Sequence, residues 1–212
     1  MKRICCYLSI CLAAGLIACQ PKTENKNTVS HDSDVSRSVP SPIKATPNPY
    51  TAVDVSPMDM AYFPDDYPIV KMGNPQTPPP KARVIYSRPH LQGRKLFVNL
   101  QQYGQPWRLG ANESTELDLY QDSYIQDKKV SAGRYVIYCI PQPGQWTIVL
   151  NSNIDSWGLK PDSTRDVIKF SIPETANNRA VEYFTMIFQK TDPGAELIMA
   201  WDDREARLPF RF

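Results

Sequence analysis

The chain reads as an all-β protein, a single antiparallel β-sandwich of jelly-roll or Greek-key type, and three observations predict it. From Thr115 onward apolar and polar residues alternate with a period of two, so one set of side chains can face a core while the other faces water. Turn signals such as Asp127-Lys128, Ala132-Gly133, Pro143-Gly144 and Asp192-Pro193-Gly194 recur at strand spacing. No run of helical period is long enough to suggest a long helix, which leaves eight or more short strands to build the core.

Taken in order, Thr51–Ser56 reads as a short strand ending before Pro57. The stretch Met58–Pro80 carries prolines at 64, 68, 75, 78, 79 and 80, and is expected to be extended with few regular hydrogen bonds. Ala82–Ser87 is a better strand, closed by Pro89. Arg94–Leu100 suits a helical turn, and Tyr103–Glu113 is loop-like by its glycines and proline. It is long for a connection inside a compact domain, and long ordered loops are often functional.

Leu117 and Leu119 alternate with Glu116, Asp118 and Tyr120, the pattern of a half-buried strand. After Arg134 the run to Ile140 is apolar, and Pro143-Gly144 turns it into Trp146–Leu150, so these two runs should form a hairpin. Asp166–Ile172, Val181–Gln189, Glu196–Trp201 and Arg204–Phe212 complete the set as four separate strands. Pro209 suggests that the last one lies at an edge.

Ahead of the domain, Met1-Lys2-Arg3 and the apolar run Ile4–Ile17 have the form of a signal peptide. That run is too short for a comfortable transmembrane helix, which needs about 20 residues. Leu16-Ile17-Ala18-Cys19 resembles the lipobox of bacterial lipoproteins, which implies cleavage before Cys19, acylation of its thiol and a cell-envelope location anchored to a membrane. Residues 1–18 are thus read as signal, 19–49 as a lipidated cysteine with a polar, proline-rich tether, and 50–212 as the β-sandwich. A chain of that tether's composition cannot bury enough to fold, and would span roughly 30 Å.

Composition excludes some classes. The 24 Lys and Arg stand against 22 Asp and Glu, and loss of Lys2 and Arg3 with the signal leaves the balance even. No electrostatic footprint for nucleic acid remains. Four of the five cysteines precede residue 20, and the domain retains Cys139 alone, within an apolar run that suits a buried, inert thiol. His90 is the domain's single histidine, so neither a metal site nor a cofactor is expected.

Trp107-Arg108-Leu109-Gly110-Ala111-Asn112-Glu113-Ser114-Thr115 resembles the WRxGANEAT signature of domain-of-unknown-function family 2911, a group of bacterial envelope proteins. Ser56–Met60, Tyr86–Pro89, Ala132–Tyr135, Trp157-Gly158 and Ala200–Asp203 extend the resemblance over about residues 50 to 212. Leu96-Phe97-Val98 and Leu159–Asp162 depart from the family's pattern. The resemblance implies an envelope location and no assigned activity.

The loop supplies the candidate ligand-binding residues. Arg108 offers a fork of donors, Asn112 and Glu113 mixed hydrogen bonding, and Tyr103, Trp107 and Trp157 flat surfaces for sugars or peptides, with Asp155 nearby in sequence to Trp157. The same residues could be structural, Arg108 pairing with Glu113 and Asn112 holding a left-handed turn. The expected function is a non-catalytic, membrane-anchored binding or scaffold module for a glycan, peptide or protein. The alternative is a carbohydrate-active hydrolase using two carboxylates from Glu113, Glu116, Asp118 and Asp155, since Glu116 and Asp118 share a strand face about 7 Å apart.

Overall fold

The computed structural model describes residues 51–212; the segments read as signal peptide and tether, Cys19 among them, lie outside these residues. The described residues form an all-β fold, with nine antiparallel strands in one open sheet that doubles over so that its two halves face each other across the core. The strands are β1 (Met58–Phe63), β2 (Ala82–Ser87), β3 (Glu116–Leu119), β4 (Ser123–Ile125), β5 (Lys128–Val130), β6 (Gly133–Gln142), β7 (Gln145–Asn151), β8 (Asp166–Lys190) and β9 (Gly194–Arg211). A short helix, α1 (Tyr67–Gly73), follows β1.

Strand order is β1-β2-β3-β6-β7-β8-β9-β4-β5. A meander is therefore interrupted once. The β4–β5 hairpin leaves the first layer after β3 and crosses to the second, where Tyr124 and Ile125 pair with Arg211 and Phe210 of β9. Strand β8 belongs to both layers, pairing with β7 through residues 166–173 and with β9 through residues 174–190.

The hairpin expected at Pro143-Gly144 is present, with Gln142 opposite Gln145 and Cys139 opposite Ile148. Ile137, Cys139, Trp146, Ile148 and Leu150 enter the core. The helical turn is also present, over Leu96–Leu100. Beyond Ala206, β9 has left β8 and bonds to β4, with the Gln126 amide donating to the Pro209 carbonyl. The last strand is therefore not an edge, lying between β8 and β4; the N–H that Pro209 lacks would face the Gln126 carbonyl, which accepts the Arg211 guanidinium instead.

Three expectations are corrected. Thr51–Ser56 is not a strand: the Asp54 carboxylate accepts the Ser56 amide at 2.8 Å, a local turn that competes with extended pairing. Regular pairing starts at Met58 instead. The proline-rich stretch Met58–Pro80 is more regular than expected, because Pro64 falls just beyond β1 and Pro68 in the first turn of α1, where an N–H has no helical partner to lose. Finally, the four C-terminal strands are two long ones. In β9, Leu197, Met199 and Trp201 face inward before Asp202, and Ala206, Leu208 and Phe210 after it. Asp202, at φ 53°, marks that change from odd to even, where the pairing with β8 is irregular and the extra residues lie on β8, between Ala176 and Val181 and between Val181 and Thr185.

Three tryptophans and a phenylalanine meet inside the sandwich. Trp107 contacts Trp146, Phe184 and Trp201 with ring centroids 5.5, 5.1 and 5.9 Å apart. Their edge-to-face and offset arrangements are those aromatic quadrupoles favour.

Candidate functional site

The structure scatters the seven candidate ligand residues and brings only Arg108 and Trp157 into contact. Trp107 is a core plug, 2 % exposed; its backbone exchanges two hydrogen bonds with Cys139, which extends the sheet beyond β3. Its indole N–H has no hydrogen-bond partner among the described residues. Asn112 is left-handed at φ 58° and its amide donates to the Asp54 carboxylate at 2.6 Å, so it fastens the start of the domain to the loop. Asp155 lies 3.6 Å from Arg134 on the open surface.

Arg108 and Trp157 do come together, from positions 49 residues apart. The guanidinium stands 5.9 Å from the centre of the exposed indole and donates to the Trp157 carbonyl at 3.1 Å. No carboxylate lies within ion-pair distance of Arg108 among the described residues. Burial lowers its pKa from the ordinary value, and the charge of the exposed Glu113 opposes that only in part. The expected Arg108–Glu113 ion pair is not formed.

The loop under Trp157 is tightly located. Gly158 sits at φ 78°, and a Cβ there would meet Ser114 Oγ at 2.5 Å and Ser114 Cα at 3.3 Å. Ser114 and Ser156 are hydrogen-bonded through both backbone and hydroxyls. Glycine alone meets both requirements. Between Arg108, Gly158, Leu159 and Trp107 remains a hollow of about 90 Å³, too small for a sugar ring and its hydration.

Tyr103 lies elsewhere, stacked on Phe97 at 4.1 Å. Phe97 in turn meets the edge of Trp146. Beside this stack opens a cleft of about 280 Å³ between the Lys95–Val98 turn and Asp202–Arg204 of β9. Its polar groups are held from behind. Glu174, 3 % exposed in its side chain, accepts the Trp146 indole N–H at 2.7 Å and pairs with Arg204 at 3.3 Å. Arg204 also reaches Asp203 at 3.2 Å.

Asp202 fixes the opposite wall. Its carboxylate accepts the Leu96 amide and the Lys95 ammonium, each at 3.0 Å. Burial by itself raises the pKa of this carboxyl; the amide and ammonium more than reverse that and hold it below the usual carboxylate value. Burial and the Glu174 charge push the Tyr103 phenol up. The same two causes, in the same order, raise Cys139, which is an inert core thiol here. A larger groove of about 540 Å³ between β1 and β8 is lined by Met60, Tyr62, Ile187 and Phe188, with Asp65 its one charged side chain.

The model of a family described as "Protein of unknown function (DUF2911)" matches residues 74–210. The chain belongs to this family. No curated protein and no solved structure matches it. The DUF2911 region contains the whole cleft and the Arg108–Trp157 shelf, and it leaves out β1, α1 and everything before them.

Of the carboxylates proposed for hydrolysis, Glu116 and Asp118 share a strand face, but both are bound to arginines. Asp118 accepts two donors of Arg83, and Glu116 pairs with Arg134. Glu113 is exposed and apart from them. The cleft residues Lys95, Phe97, Glu174, Asp203 and Arg204 were not among the sequence candidates. One signal was available: Asp202-Asp203 directly follows the apolar run Leu197–Trp201, where paired acids need a reason.

Proposed function

We propose that this DUF2911 chain is an envelope lipoprotein, acylated at Cys19, whose domain is a non-catalytic binding module for a glycan or peptide. The cleft beside Phe97 and Tyr103 is the binding site. The observation that carries the reading is the Glu174–Arg204–Asp203 chain: a buried carboxylate holds an arginine and, through it, an exposed carboxylate at the rim of a cleft next to a stacked aromatic pair.

Such groups are set before a ligand arrives, so little ordering opposes binding. Lys95 at the rim donates, Asp203 accepts, and the aromatic pair offers an apolar face, the mixture that hydroxyl-bearing sugars and peptide backbones require. Arg204 is already matched by two carboxylates, so the cleft favours a neutral or amino-bearing ligand over an acidic one.

Screening the protein on glycan and peptide arrays tests this directly. Binding of a hit should fall about tenfold or more in Arg204→Met and in Tyr103→Ala, the loss expected when one charge-assisted hydrogen bond or one stacking contact is removed. Absence of any hit, or a hit indifferent to both substitutions in folded protein, would overturn the assignment of the cleft. Acylation is checked separately by the mass of the mature N-terminus and its loss in Cys19→Ala.

A further inference from the structure

The Arg108–Trp157 shelf is not explained by the cleft. Trp157 is 55 % exposed, and Leu159 and Ile154 of the same loop are 66 % and 39 % exposed. Exposed side chains of this size cost free energy unless something covers them, and a tight loop that holds them outward makes the exposure a fixed property of the surface. The loop is built that way, by Gly158 against Ser114 and by the Ser114–Ser156 hydrogen bonds.

The chain reaches the domain at this same face. Asp54 is bonded to Asn112, four residues from Arg108, and Val53 and Val55 on either side of it are 84 % and 66 % exposed. The first described residues are thus fastened to the loop that carries Arg108.

We infer that this face docks on the lipid bilayer surface, with Trp157 and Leu159 at the level of the headgroups and Arg108 on a lipid phosphate. The inference goes beyond ligand binding and rests on the reading of Cys19 as lipidated only for the tether that brings the face to the membrane. Tryptophan with its amphipathic ring is favoured at the water–lipid boundary. A guanidinium lacking a carboxylate partner is suited to bidentate contact with a phosphate diester. Tethering raises the local concentration of bilayer at the face, so weak contacts suffice. Glu113 and Asp155 flank the shelf and offset Lys160, so the attraction is mainly apolar, and docking should persist on zwitterionic vesicles and in salt.

The test uses the mature chain, residues 19–212, coupled through Cys19 to a maleimide lipid in phosphatidylethanolamine–phosphatidylcholine vesicles. Cys139 is buried, so coupling falls on Cys19, and docking is measured whatever the acylation experiment shows. Trp107, Trp146 and Trp201 are buried at 2, 0 and 2 % exposure, so quenching by aqueous iodide reports Trp157. Docking predicts that coupling abolishes iodide quenching, shifts the emission to the blue, and brings quenching by brominated acyl chains. Ile154→Asp with Leu159→Asp, both at exposed positions, should restore iodide quenching on the same vesicles. Trp157 equally open to iodide on and off the vesicle would overturn the inference, and so would lipid protection that survives the double substitution. Either result leaves the cleft and the acylation of Cys19 to their own experiments.

Discussion

Trp107 and Trp157 are both tryptophans in loops beside the same arginine, and the structure gives them opposite surroundings. Trp107 is enclosed by three aromatic rings and tied to β6 by two backbone hydrogen bonds, while Trp157 stands outside the sheet with a guanidinium on one side. The difference teaches that a loop in this fold can complete a core as well as display a surface. One tryptophan packs on Trp146, whose ring meets the Phe97 that lines the cleft; the other makes an exposed shelf.

The comparison breaks most visibly at Trp107. Trp107→Ala should cost about 3–5 kcal/mol, the usual penalty for emptying an aromatic site in a core, read as a shift of the urea midpoint. A cost under 1 kcal/mol would mean that the loop does not belong to the core.

Asp202→Asn comes next, at about 1–3 kcal/mol near neutral pH, because the Leu96 amide and Lys95 lose a charged acceptor. Its folded pKa is depressed, so the stabilisation is present above the unfolded value of about 3.9 and is lost as pH falls through the folded one. Denaturation of both proteins from pH 7 down to pH 3 should show the difference shrinking toward acid. A pH-independent difference would contradict the role assigned to the charge.

Gly158→Ala should cost about 1–3 kcal/mol, from an alanine at positive φ pressed against Ser114. Gly144→Ala is the control: its φ is 77°, but nothing lies within 4 Å of the added Cβ, so only the conformational part of about 1 kcal/mol applies. Equal melting-temperature losses for the two would show that Ser114 yields and that the shelf is not tightly held. Smallest of all, Trp157→Ala should change stability by less than about 0.5 kcal/mol, as for a surface site.

Much of the fold was legible because its signals are local. The β6–β7 hairpin follows from an apolar run, a Pro143-Gly144 turn and a second apolar run, and each needs only its neighbours. What failed was continuity. Asp202 at positive φ switches the inward face of β9 from odd to even residues, which in a sequence looks like two strands. Helix α1 was hidden for another reason: its proline sits where helices accept one, and composition does not reveal that position.

The candidate site was legible in its residue types and not in its assembly. Arg108 and Tyr103 read as chemistry on a long loop and Trp157 as a flat surface beyond it, and two of the three do share a surface. The cleft depends on register. Ala176 opposite Arg204 and Glu174 opposite Ala206 put a buried glutamate beside an arginine thirty residues away, and no local pattern encodes that pairing.

Two separate surfaces are the centre of this account, a ligand cleft at Arg204 and Tyr103 and a lipid-facing shelf at Arg108 and Trp157. The most direct measurement carries Arg204→Met, and separately Ile154→Asp with Leu159→Asp, through both assays: affinity for an array hit, and iodide quenching of Trp157 on vesicles. Arg204→Met should weaken the ligand about tenfold and leave the shelf protected by lipid; the double substitution should expose Trp157 and leave ligand affinity unchanged. Loss of both properties in either protein, with the fold intact, would contradict the separation.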